Sequence, residues 1–257
     1  MDYIILFMAT VLAVVAVNVF RGRLTKTAVD LISGFTGAFV LGIIVFHMLP
    51  EAYEGGLSAT VIGFCIMGGL LIQAVLDFFT KGVDHGHTHT ESCTHSHRHS
   101  GEKVDNSLTI GMFVSLFLHT FLESTPILAG DVHGHGHDHA HGILDIGGVS
   151  PLLLSIALHT IPMAIVLYIL VLRSVRSKTK AMLLMLLFGL SGPLGMFVGA
   201  HTEIFHEYYY AALAVVVGIL LHVSSVMLFD CDMAAYGKVR KLVIIVLGFI
   251  AAMLVVI

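Results

Sequence analysis

The chain has 257 residues, 57% hydrophobic and 12% charged, with a mean hydropathy of +0.94 and a formal net charge of −4. That apolar fraction exceeds the roughly 45–50% of soluble domains and excludes a water-soluble globule. Thirteen Lys and Arg with no basic tail exclude a nucleic-acid partner, which needs a dense basic surface.

Apolar runs of near-spanning length predict eight transmembrane helices in one domain, 1–257, with the lipid bilayer as solvent: about 3–20, 28–52, 57–80, 107–130, 149–172, 181–200, 208–229 and 242–257. The first begins with an acidic Asp2, has no basic n-region and lacks a small-residue cleavage site, so it reads as a retained helix and not a signal peptide. Cys65, Cys93 and Cys231 are far apart and form no CxxC pair, which argues against a disulfide framework or a thiolate zinc site.

Orientation follows from the basic residues, since short cytoplasmic loops retain Lys and Arg. Arg21, Arg23 and Lys26 fall between segments one and two; Lys81, Arg98 and Lys103 between three and four. Arg173, Arg176, Lys178 and Lys180 fall between five and six; Lys238, Arg240 and Lys241 between seven and eight. These are every basic side chain in the protein, and the alternate loops carry only acids: Glu54, Asp131, Asp138, Asp145, Glu203 and Glu207. The pattern predicts an all-α membrane protein of the cell (cytoplasmic) membrane, multi-pass, with both termini outside.

Seventeen histidines stand out in so apolar a chain, because imidazole is the commonest metal ligand. Six lie in DHGHTHTESCTHSHRHS from Asp84, within a cytoplasmic loop over 81–106, and five in HGHGHDHAH, His133 to His141, within an extracytoplasmic loop over 131–148. Both tracts are too polar to order themselves, and their alternating imidazoles suit loose capture of a borderline-soft cation such as Zn²⁺.

Polar groups at membrane depth are expensive and mark function. Segment two carries FHMLPE, His47 to Glu51; segment four LHTFLE, His119 to Glu123; segment five LHTIPM, His159 to Met163; segment seven LHVSSV, with His222. Spacing i, i+4 puts two side chains on one helix face, one turn apart. With about 1.5 Å of rise per residue, His119 lies about 18 Å from the cytoplasmic face of a roughly 30 Å core and His159 about 15 Å from the opposite face. The two are nearly level, with His47 and Glu51 toward the outside and His222 toward the cytoplasm. Pro50, Pro126 and Pro162 lie close to these groups, where a freed carbonyl is tolerated along a wet cavity.

His201, Glu203, His206 and Glu207 read as a solvated outer mouth, and Asp30, Asp77, Asp230 and Asp232 as solvated helix ends. Gly189, Gly192, Gly195 and Gly199 form a small-residue face in segment six that suits either sliding or tight static packing.

Taken in order and orientation, FHMLPEA, HTFLE, HTIPM, LSGPLG and the His-rich loop between segments three and four make the whole chain resemble the ZIP family of metal-ion transporters. The resemblance implies an inner bundle of helices two, four, five and seven around the transport site, and alternating exposure of that site. By position it makes His119, Glu123 and His159 ligands. It also marks three departures: Thr120 where Asn is usual, Met163 where Glu is usual, and Gly192 where an acid is usual. Together these imply one site of His119, His159 and Glu123 in place of a binuclear centre, with Met163 as an optional fourth ligand whose thioether would disfavour Mn²⁺ and Fe²⁺ relative to Zn²⁺ or copper.

The expectation is a transporter that imports a divalent transition metal, Zn²⁺ first and Fe²⁺, Mn²⁺, Cd²⁺ or copper as alternatives. His47 and Glu51 would form its entrance, and His222 and the cytoplasmic loop its exit. A metal exporter and a non-transporting metal receptor stay open, as does the oligomeric state, homodimer included. An intramembrane metalloprotease would need HExxH, which the chain lacks.

Overall fold

The computed structural model describes residues 1–20, 25–81, 106–129, 149–175, 177–229 and 235–256, with no strand among them. The two histidine-rich tracts lie outside the described residues. The helices are α1 Asp2–Val19, α2 Lys26–Ile43, a π-helical stretch Ile44–Met48, α3 Leu49–Glu54, α4 Ala59–Lys81 and α5 Asn106–Ser124. They continue with α6 Pro151–Val175, α7 Lys178–Gly189, α8 Ser191–His201, α9 Glu203–Glu207, α10 Tyr209–Phe229 and α11 Ala235–Val256.

Seven stretches among the described residues are long and apolar enough to cross a membrane: Asp2–Val19, Thr27–Glu54, Ala59–Phe78, Pro151–Val175, Lys178–His201, Tyr209–Leu228 and Val239–Val256. These are the helices of a multi-pass integral membrane protein. Thr109–Ser124 is a shorter apolar helix.

The departures from the expected boundaries have local causes. The fourth segment stops at Ser124 and not near 130, because Pro126 disfavours a helical residue before it; Thr125 to Ala129 turn instead. The eighth begins at Ala235, earlier than the apolar run, since Lys and Arg are good helix formers and extend it through Lys238, Arg240 and Lys241. The sixth is broken at Leu190, just before Pro193, which has no N–H for the carbonyl of Gly189. In the second, the N–H of Leu49 bonds the carbonyl of Ile44, five residues back, and this wide turn immediately precedes Pro50.

Packing divides the helices into two groups. α1, α5, α6, α7 and α8 contact one another, as do α2, α3, α4, α10 and α11; the groups meet chiefly where α2 touches α6 and α4 touches α5. Because lipid is as apolar as leucine, small residues and polar contacts decide which helices associate. A Cβ at Gly195 or Gly199 of α8 would overlap the backbone carbonyls of Phe121 and Thr125. A Cβ at Gly69 of α4 or Gly218 of α10 would overlap those of Val215 and Ile66. Each of these approaches lies inside one group. Phe64, Met67 and Leu71 of α4 and Leu242, Val246 and Ile250 of α11 point outward, an arrangement that hydrocarbon and not water covers.

Candidate metal centre

One face of α5 carries His119 and, a turn later, Glu123; α6 lies against it and delivers His159. All three are fully buried at 0% exposure. Nε2 of His119 and Nε2 of His159 each lie 3.0 Å from the same carboxylate oxygen, Oε2 of Glu123, and the two imidazole centres are 6.0 Å apart. One ligand atom from each residue fits within 4.8 Å of the others, so the cluster could hold a metal ion.

The far side of each ring determines what the near side offers. Nδ1 of His159 is 2.9 Å from the carbonyl oxygen of Ser155, which only accepts, so Nδ1 carries the proton and donates it. Nδ1 of His119 is 2.8 Å from Oε1 of Gln73. That oxygen faces the ring because the amide NH₂ of Gln73 donates to Oδ1 of Asp77 at 2.9 Å. A neutral ring held this way would turn an Nε2 lone pair toward the carboxylate, and the hydrogen bond between His159 Nε2 and Glu123 Oε2 therefore needs one proton more.

Acceptors alone repel one another, so the cluster needs a cation among them, either a proton or a metal ion. Two of its atoms, Nε2 of His119 and Oε1 of Glu123, are buried with no hydrogen-bond partner among the described residues, the first despite its 3.0 Å approach to Oε2. A metal-ligating His characteristically donates its other ring N–H to a carbonyl or carboxylate. Zn–N and Zn–O bonds near 2.0–2.1 Å put tetrahedral donors about 3.3 Å apart, close to the two 3.0 Å N···O separations here. The donor set fits a borderline-soft cation.

The other predicted residues lie outside this trio. Met163 stands one turn beyond His159 on the same face of α6 and is partly buried. His47, in the π-helical stretch, is 3.8 Å from Glu51, whose Oε1 accepts a 2.7 Å hydrogen bond from the Tyr209 hydroxyl. Nε2 of His222 donates to Oδ2 of Asp77 at 2.9 Å. At Gly192 a Cβ would sit 2.9 Å from the Leu6 side chain and 3.4 Å from the Ser124 hydroxyl, so α1 and α5 fill the space where the resemblance expects an acid.

Three residues behave differently from the sequence reading. Asp77 is not simply a solvated helix end: it joins His222 to Gln73, and through Gln73 to His119. Gln73 itself went unnoticed because a search for ionisable groups passes over an amide. Its signal was an i, i+4 polar pair, QAVLD, inside an otherwise apolar run. His206 is partly buried and not a free mouth residue; its ring nitrogens lie 3.0 and 2.9 Å from the carbonyls of Ala129 and Ala200. His201 stays exposed, stacked on Phe197 at 4.2 Å.

No family model matches the chain, and no curated protein matches it.

Proposed function

We propose that the protein is a membrane carrier of the ZIP type that imports a divalent transition-metal ion, zinc first, through His119, Glu123 and His159. The observation that carries this reading is the shared Oε2 of Glu123 facing two Nε2 atoms whose rings already donate through Nδ1. An uncompensated carboxylate inside a membrane is costly, and a divalent cation offsets both its charge and the lone pairs around it.

On this reading the short helix Thr109–Ser124 completes an eighth crossing of the cell membrane, both termini lie outside, and segments two, four, five and seven surround the ion path. Segment three joins them through Gln73 and Asp77. His47 and Glu51 admit the ion; Asp77, His222 and the cytoplasmic histidine loop receive it. Complete burial of the three donors also suits a receptor that binds without flux.

Purified protein in liposomes enclosing a fluorescent zinc indicator separates the readings. Saturable zinc entry, abolished by His119→Ala, is expected for the carrier. Zinc binding without entry identifies the receptor, and zinc movement only from the cytoplasmic face identifies an exporter.

A further inference from the structure

We propose that Gln73 is the positioning residue of the metal centre: its carboxamide locks His119 in the tautomer that presents Nε2 to the ion, and couples that tautomer to the Asp77–His222 pair. This inference rests on the metal reading above and deepens it.

An amide has one accepting end and one donating end, and which way it points is decided by its neighbours. Gln73 is 4% exposed, so water does not offer either end an alternative partner. Its NH₂ faces Asp77, an acceptor, at 2.9 Å, and its oxygen consequently faces Nδ1 of His119 at 2.8 Å. Asp77 is held in turn by a 2.9 Å hydrogen bond from His222.

Rotating the amide by half a turn would present NH₂ to Nδ1. That nitrogen would then have to accept, its proton would move to Nε2, and the lone pair aimed at Glu123 would be gone. The amide is thus a selector with a ligating and a non-ligating setting, and the charge on Asp77 chooses the ligating one. Because α4 and α5 belong to different packing groups, this hydrogen bond exists only while that seam is closed. Outer partners of a ligating His characteristically contribute 10–100-fold in metal affinity.

The test is zinc titration of the purified full-length protein, with melting temperature as the control for folding. Gln73→Met, which removes both ends of the amide at similar volume, is expected to weaken zinc binding by about 10–100-fold. Gln73→Glu keeps an acceptor opposite Nδ1 but replaces the NH₂ that Asp77 accepts from with a second carboxylate, so its effect is read together with Asp77→Asn, whose amide can donate to it.

Asp77→Asn frees the amide to turn and is expected to weaken binding. Combining it with Gln73→Glu is expected to restore binding, because a carboxylate at position 73 needs no orienting partner. A purely structural role would not produce that rescue. Wild-type affinity in Gln73→Met, or no recovery in the folded double variant, overturns the proposal. If Gln73→Met matches wild type while His119→Ala abolishes binding, only the role of Gln73 falls. If wild type shows no binding that His119→Ala removes, the metal reading itself falls.

Discussion

Nε2 of His159 lies 3.0 Å from Oε2 of Glu123, although the two residues stand 36 positions apart on different helices. The same oxygen is 3.0 Å from His119, one turn away on its own helix. A single carboxylate atom therefore joins α5 to α6 and gathers both imidazoles, so the trio behaves as one unit.

Glu123→Gln keeps the shape and removes the charge. Zinc affinity, measured by calorimetric titration, is expected to fall by more than the roughly 10–100-fold typical of an outer-partner change. His159→Ala leaves the buried carboxylate with one partner fewer and is expected to destabilise the zinc-free protein by about 3–5 kcal/mol, visible as a lower melting temperature. An unchanged melting temperature in that variant would show that Glu123 is not held as a charge by the pair.

Zinc binding at neutral pH is expected to release at least one proton, because the zinc-free cluster needs a proton among its acceptors and the ion replaces it. Affinity should accordingly fall as pH drops, because protons compete with the ion for the same nitrogens. Titrations in two buffers of different ionisation enthalpy measure the number released. A count of zero contradicts the proton accounting of the site.

Glycine positions separate packing from permissiveness. Gly195→Ala places a methyl against the carbonyl of Phe121 and is expected to destabilise by about 1–3 kcal/mol as α5 and α8 are forced apart. Gly63→Ala and Gly68→Ala meet nothing within 4 Å and are expected to be neutral or mildly stabilising in a helix. Thermal melts of the three variants side by side test this, and equal effects would remove the packing argument.

Met163→Glu offers a hard carboxylate on the His159 face of α6. Uptake of Mn²⁺ relative to Zn²⁺ is expected to rise in liposomes carrying this variant, since oxygen ligands favour the harder ion. An unchanged ratio would take Met163 out of the site.

Much of the site was legible because membrane burial makes polar residues conspicuous. His119, Glu123 and His159 stood out as ionisable groups in apolar runs, and helical rise alone placed the two imidazoles level. Gln73 was illegible as a partner, since an amide in such a run has many acceptable neighbours. Asp77 looked like a helix end because it stands four residues before the last residue of α4, Lys81, and its partner His222 comes from a different helix, α10. The end of α5 was local information, carried by Pro126, whereas the π-helical turn before Pro50 was not anticipated by periodicity.

What the residues by themselves determined was an all-helical, membrane-spanning chain and the polar groups its helices carry, because hydrocarbon demands long apolar helices and tolerates few charges. Tertiary structure decided which of those groups meet. Sharing of one carboxylate oxygen by two rings, and the setting of the Gln73 amide, depend on how α4, α5 and α6 are rotated against each other. Rotation is chosen by glycine notches and side-chain fit summed over whole helices, a property of the pairings and not of any one segment.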